Sequence, residues 1–470
     1  MPTFPAMFDL VIRNGSITTA TTTTVGDIGI ASGLIRELAA PDTLSGQETI
    51  DASGMHVLPG AIDVHVHLEL PFCGTVSCDD FESGSRAAAC GGITTLIDFA
   101  IPASGGTLRD AHETWLQKAR NRSLVDFSWH MAITRDEHLE EIGTMIRQGL
   151  PTFKEFMIYE SEGWNSDDGR MFRTLEMMAD LNGMLLVHAE SSKVLDELIR
   201  RHHHPELMRE HGARLHPITR PNFIEAEAIE RAIHWCSVTG GRLYIVHMST
   251  AEGADLVAAA RKRGVPVLAE TCAQYLCLDD SVFANPDGHL FACCPQVKSR
   301  TDIERLWQGL CREVSVVSTD TCSFTRSQKG MWFVEDAQGG YGDWTKIPMG
   351  LPGLDTLLPL LYTLGVESGR LTLNQLVSLL SSTPAGVMGL GHIKGDIRPG
   401  LHADLALIDP EYRVTISPEK LQSRCDWSPY TGMNLAGFAH TTLVRGVPVV
   451  RDHRPVGALS HGRFTERRLV

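Results

Sequence analysis

Five apolar, strand-like runs of this chain each end in a side chain that can ligate a metal ion or carry a proton, and helical stretches separate them. Residues 57–64 lead into His65-Val66-His67; runs 152–154, 184–188, 243–247 and 314–320 end at Lys154, His188, His247 and Asp320. Period-two alternation at a strand end puts His65 and His67 on one side of the backbone, where two neutral imidazoles can grip one ion. Taken singly, the others have plainer readings. His188 or His247 alone suits a hydrogen-bonded core histidine, Lys154 a snorkelling surface lysine and Asp320 a helix N-cap. Together they set His, His, Lys, His, His and Asp at the carboxyl ends of successive parallel strands, where a (β/α)₈ barrel builds its active site.

The flanking pattern supports that α/β architecture. Residues 83–90 and 108–122 read as helices ahead of strands at 93–99 and 127–131, and 251–263 as a helix ahead of a strand at 265–268. Such alternation is what parallel strands with crossover helices require. The two chain ends differ: short strands such as 10–13 and 28–30 are punctuated by Asn14-Gly15 and Ser32-Gly33, which read as turns, and 404–409 and 442–450 have the same character. The expected organisation is a TIM-like barrel over 59–396 with a β-sandwich domain built from 1–58 and 397–470. Residues 321–353 form the longest irregular stretch and read as an active-site loop.

A formal charge of −15 with no basic stripe argues against nucleic acid as a partner. No apolar run approaches the roughly 20 residues that cross a bilayer. Residues 1–7 lack a signal peptide's basic and apolar regions, so a cytoplasmic location is expected. The 11 cysteines are an odd count scattered through apolar segments, which predicts reduced core residues. Cys293-Cys294 has no CxxC partner pair, so a zinc knuckle is not expected. His202-His203-His204 suits a solvated helix end, His112 and His130 suit structural positions, and Asp79-Asp80 suits a helix cap.

Several longer motifs carry a family resemblance. Residues 60–69, Pro71-Phe72-Cys73-Gly74-Thr75, Phe153-Lys154-Glu155, Val187-His188-Ala189-Glu190, 270–276, 346–350 and 395–404 resemble the cyclic amidohydrolases, nearest to the dihydropyrimidinase and hydantoinase group. The resemblance spans nearly the whole chain. It implies two divalent metal ions, zinc by preference, with His65, His67 and Asp320 on one and His188 and His247 on the other. Lys154, carboxylated by CO₂, would bridge them, since an ammonium cannot ligate a cation.

The same resemblance implies a metal-bridging hydroxide that opens a small cyclic amide or imide ring, with Asp320 moving the proton. Tyr159 resembles the tyrosine that stabilises the oxyanion; an aromatic plug at the barrel mouth is its other reading. Three positions depart from the family. Thr321 follows the metal aspartate where relatives have His, Cys294 stands where many have Ser, and Met349 replaces Asn before Gly350. Cys294 and Met349 are the expected contacts to the ring's imide edge, Met349 through its backbone, and the ring accepted depends on them. An allantoinase-like enzyme and a non-catalytic oligomeric scaffold are the alternative readings. A homotetramer, or a dimer, is the implied assembly, with no membrane partner.

Overall fold

Burial on both faces explains why the central strands are nearly continuous apolar runs rather than alternating ones. In the computed structural model, which describes residues 8–337 and 339–470, eight parallel strands lie side by side in chain order. They are Ala61–Val66, Ile93–Ala100, Asp126–Ala132, Thr152–Phe156, Met184–His188, Leu243–Ile245, Val267–Cys272 and Val316–Ser318. Every residue of the first five is buried.

The first and last strands close the ring through specific contacts. Val66 bridges Thr321, the His67 amide donates to the Thr321 carbonyl at 2.8 Å, and Thr319 Oγ1 donates to Asp63 Oδ2 at 2.6 Å. Burial pushes the Asp63 carboxyl up to about 7, against the hydrogen bond from Thr319. Thr321, the residue after Asp320, therefore serves the barrel closure with its backbone.

The crossover helices stand where the sequence places them. Phe81–Cys90 starts at Asp80, whose side chain accepts from the Ser83 amide in a capping box. Leu108–Ala119 is capped by Thr107 and ends before the predicted Arg122, because Arg120 turns extended. Thr250 caps Ala251–Lys262. Asp79 is not a cap: it accepts from Ser83 Oγ, Ser323 Oγ and Ser423 Oγ at 2.8, 2.7 and 2.5 Å, joining three loops at the barrel rim.

Both chain ends enter one nine-stranded sheet. Phe8–Thr18 and His56–Pro59 pair in parallel, and His56–Pro59 pairs antiparallel with Leu405–Ile408. The free edge strand Leu34–Ala39 returns to the chain ahead of Leu405 through a Leu34–His402 bridge and a bond from the Ile35 amide to the Leu401 carbonyl. The sheet thus curls round its own core of Ile12, Ile28, Ile30, Ile35, Leu405 and Leu443. Ser32-Gly33 is a hairpin turn with φ of 54° and 76°, as expected.

Asn14-Gly15 is not a turn. The strand runs through it with a bulge between Ile12 and Gly15, held by the Asn14 amide on Asp27 Oδ1 at 3.1 Å. Glycine is needed there for close packing, since a Cβ would lie 2.4 Å from Val57 Cγ2. The chain then finishes on the barrel: Arg467, 1% exposed, donates to the Trp129 carbonyl and Thr152 Oγ1, both at 2.6 Å.

Among the described residues no helix is long and apolar enough to cross a membrane. Residues 1–7, on which the absence of a leader was read, lie outside the described residues. All 11 cysteines are free thiols, and Cys311 is the exposed one.

Candidate active site

The carboxyl ends of the strands bring the six predicted residues into one inner cavity of about 40 Å³, lined by His65, His67, Lys154, His188, His247 and Asp320. Phe72, Tyr159 and Met349 line both this cavity and an outer one of about 890 Å³. Ring centroids of His65 and His67 lie 5.2 Å apart, those of His65 and His247 5.2 Å, and those of His188 and His247 4.4 Å. Asp320 Oδ1 stands 3.2 Å from His65 Nε2 and 3.4 Å from His67 Nε2. Tyr159, His247 and Asp320 hold left-handed φ of 72°, 39° and 51°. Strain of that kind, at three cavity residues without glycine, is characteristic of functional loops.

Carboxylates behind the imidazoles fix which nitrogen faces the cavity. His65 Nδ1 hydrogen-bonds Glu270 Oε1, and Glu270 also accepts from Tyr244 OH at 2.8 Å. His188 Nε2 bonds Glu190 Oε2 at 2.8 Å, which leaves Nδ1 toward the cavity. Burial first, then Lys154 and neighbouring rings, hold His65 and His247 well below the usual histidine range, and burial lowers His188 as well. These rings are neutral near pH 7, the form that ligates.

His67 Nδ1 and His247 Nδ1 are buried without a hydrogen-bond partner among the described residues, which leaves these rings a vacant donor atom each. Imidazoles, a carboxylate and a buried amine make a donor set that fits divalent cations. A second trio, Asp126, His402 and Asp404, is instead neutralised by Lys394 and Arg445: Lys394 Nζ lies 2.7 Å from Asp126 Oδ2.

Lys154 is 1% exposed, and no hydrogen bond or ion pair engages its Nζ among the described residues. Its Nζ stands over the Phe99 and Phe156 rings, 5.1 and 5.3 Å from their centres. Burial pulls the amine down to about 7, opposed by Glu270 and Asp320. Lys154 is no snorkelling surface residue.

Sequence reading left several neighbours without a role. Glu190, Glu270 and Phe99 brace the imidazoles, Phe99 with its ring 4.4 Å from His65 and 4.9 Å from His67. Trp164 and Cys322 complete the inner wall. The spacing His188-Ala189-Glu190 was the available signal for one of them.

His130 uses both nitrogens on Thr152 Oγ1 and the Val64 carbonyl, and His112 accepts from Trp129 Nε1, so both are structural as expected. The triple-histidine segment ends the helix Ser192–His202 and is partly solvated as expected; the exposed His203 also pairs with Asp343, 3.2 Å away, at the rim of the outer cavity.

This geometry has counterparts. A model described as the amidohydrolase family matches residues 56–449. The chain belongs to that family, among its cyclic amidohydrolases of the hydantoinase and dihydropyrimidinase type. It is 38% identical to a D-hydantoinase of Geobacillus stearothermophilus over 97% of this chain and 96% of that protein. A D-hydantoinase of Streptomyces coelicolor is 37% identical, with 97% of each covered. The crystal structure of dihydropyrimidinase from Brevibacillus agri NCHU1002 superposes with a TM-score of 0.92 at 35% identity, covering 97% of this chain and 98% of that one. The fold is a TIM barrel with a sheet domain, and the activity is metal-dependent hydrolysis of a cyclic amide C–N bond. Neither the allantoinase-like reading nor the non-catalytic scaffold is favoured.

Proposed function

We propose that the chain opens five- or six-membered cyclic ureides, hydantoins of D configuration first among them, at a binuclear zinc centre bridged by carboxylated Lys154. The observation that carries this reading is the placement of Lys154: a buried amine, unpaired and near pH 7 in its affinity for protons, amid four imidazoles and Asp320. Only its neutral form attacks CO₂, and the resulting carbamate is the anion that the centre needs. The D configuration follows the names of the relatives at 37–38% identity.

His65, His67 and Asp320 would hold one ion, His188 and His247 the other. When bound, the ions supply Lewis acidity to the ring carbonyl and acidify a water. Asp320, 3.2 Å from His65 Nε2 and 3.4 Å from His67 Nε2, would take up the proton from the attacking water and deliver it to the departing ring nitrogen.

Tyr159 packs edge-on to His188 at 5.2 Å. Burial first, then Cys294 and Glu190, push its hydroxyl well above the usual tyrosine range, so it remains a neutral donor for the carbonyl oxygen as charge develops there. Cys294 and the Met349–Gly350 backbone face the far edge of the ring. Burial pushes the Cys294 thiol up, and a neutral thiol is a weak donor. The outer cavity, walled by Phe72, Ile158, Ile199 and Trp344, takes the ring substituent.

Within this reading residues 59–396 are the hydrolase domain and 1–58 with 397–470 the sheet domain. The cytoplasm is its compartment. A homotetramer or dimer covers the exposed Val194, Ile218 and Phe223 beside the small core of Ile158, Leu195 and Ile224.

The test is hydrolysis of D- and L-5-substituted hydantoins, dihydrouracil and allantoin by metal-replete protein, with product masses. Ring opening of a D-hydantoin to its N-carbamoyl acid supports the reading; preference for allantoin contradicts it.

A further inference from the structure

Behind His188 lies a chain of buried polar groups that ends in a cation. Glu190, 1% exposed, takes His188 Nε2 on Oε2 at 2.8 Å, and its Oε1 stands 3.5 Å from Arg220 Nε. Arg220 is 6% exposed, and Glu190 is its ion-pair partner among the described residues.

The arginine is itself pinned. Its Nη1 lies 3.2 Å from His216 Nδ1, and His216 Nε2 donates to the Cys293 carbonyl at 2.8 Å. Its own carbonyl accepts from Gln296 Nε2 at 2.5 Å and Lys298 Nζ at 3.1 Å. The segment that carries Cys294 and the helix start at Asn222 therefore meet at this one residue.

The carboxylate behind His65 is held differently. Glu270 rests on neutral donors, Tyr244 OH and the His247 amide, and among the described residues no arginine pairs with it. The two sides of the cavity are braced by unlike means, so their loss should be felt by unlike ions.

We propose that Arg220 is a positioning residue for one half of the metal centre: its guanidinium holds Glu190, and Glu190 holds the His188 ring with Nδ1 toward the cavity. The inference rests on the binuclear reading above. Removing a carboxylate partner of a ligating histidine typically weakens metal binding by about 10- to 100-fold. That loss should fall on the ion held by His188 and His247 and spare the one held by His65, His67 and Asp320. Because Arg220 also lines the outer cavity, the competing role is direct contact with substrate, which would raise KM and leave the metals in place.

The test titrates metal-free protein with Zn²⁺ against a chromophoric chelator, for wild type, Arg220→Gln, Arg220→Lys, Glu190→Gln and the double Gln variant. Glu190→Gln keeps a hydrogen-bond acceptor for His188 and deletes only the charge.

In both single Gln variants one of two sites should weaken by about 10- to 100-fold while the other is unchanged. The double variant should be no worse than the poorer single one, and Arg220→Lys should recover part of the loss. Two sites of wild-type affinity in Glu190→Gln, or a raised KM with full metal in Arg220→Gln, overturn the proposal. Should Arg220→Gln fail to fold, Glu190→Gln and Arg220→Lys decide it. A single site in wild type would refute the binuclear reading instead, and the affinity of that site in Glu190→Gln would still decide the role of the relay.

Discussion

Lys154 Nζ stands 5.1 Å from the centre of the Phe99 ring, and that ring packs against both His65 and His67. An amine walled by an aromatic face and by imidazoles, with no ion pair among the described residues, is costly to keep charged. Burial lowers its affinity for protons to about 7, so a share of it is neutral near pH 7, and the proposed carboxylation draws on that neutral form.

Replacing this residue therefore tests chemistry rather than packing. Lys154→Arg keeps a cation that cannot be carboxylated, and Lys154→Ala removes the amine. Both should lose most bound metal and activity, and short carboxylic acids should partly restore Lys154→Ala. In wild type, reactivation of metal-free protein by Zn²⁺ and bicarbonate should rise with pH through about 7, because the amine sheds its proton there. Reactivation that is flat between pH 6 and 8 would remove the carbamate from the account.

Tyr159→Phe keeps the ring that packs on Phe72 and His188 and deletes the hydroxyl. One positioned oxyanion donor is worth roughly 10²- to 10³-fold in turnover. We expect kcat to fall by about that factor, with a smaller change in KM and full metal content. Wild-type kcat would leave Tyr159 as a wall of the pocket.

Cys294→Ser places a stronger hydrogen-bond donor on the cavity wall proposed to face the ring's far edge. One improved neutral hydrogen bond is worth about 1 kcal/mol, so kcat/KM on unsubstituted dihydrouracil should rise by about 5-fold. A fall on every ring tested would show that Cys294 contributes by packing alone.

The barrel and the order of the candidate ligands were legible because each of those residues lies in, or within two residues after, an apolar strand, and strand position fixes where the side chain points; Lys154 sits mid-strand, since its strand runs on to Phe156. The braces were not. Glu270 reaches His65 across 205 positions and Arg467 reaches Thr152 across 315, distances that no local periodicity encodes. Asn14-Gly15 misleads for a related reason: the glycine answers to Val57, a contact invisible along the chain. His203 ends a helix as its neighbours suggest, and only the fold brings it to Asp343.

Arg467 supplies a stability test away from the cavity. Arg467→Ala leaves the Trp129 carbonyl and two hydroxyls buried without this donor, a cost of about 2–4 kcal/mol. The melting temperature should fall by several degrees while kcat per metal-loaded chain is unchanged. An unaltered melting temperature would mean that the final residues fray from the barrel.

The most direct measurement is ¹³C NMR of wild-type protein prepared with ¹³C-labelled bicarbonate and Zn²⁺, read beside metal content on the same sample. The account predicts one carbamate carbon per chain, absent in Lys154→Ala, together with about two metal ions, as a bridging carboxylate requires. Fully active protein that holds its metal with no carbamate signal would contradict it.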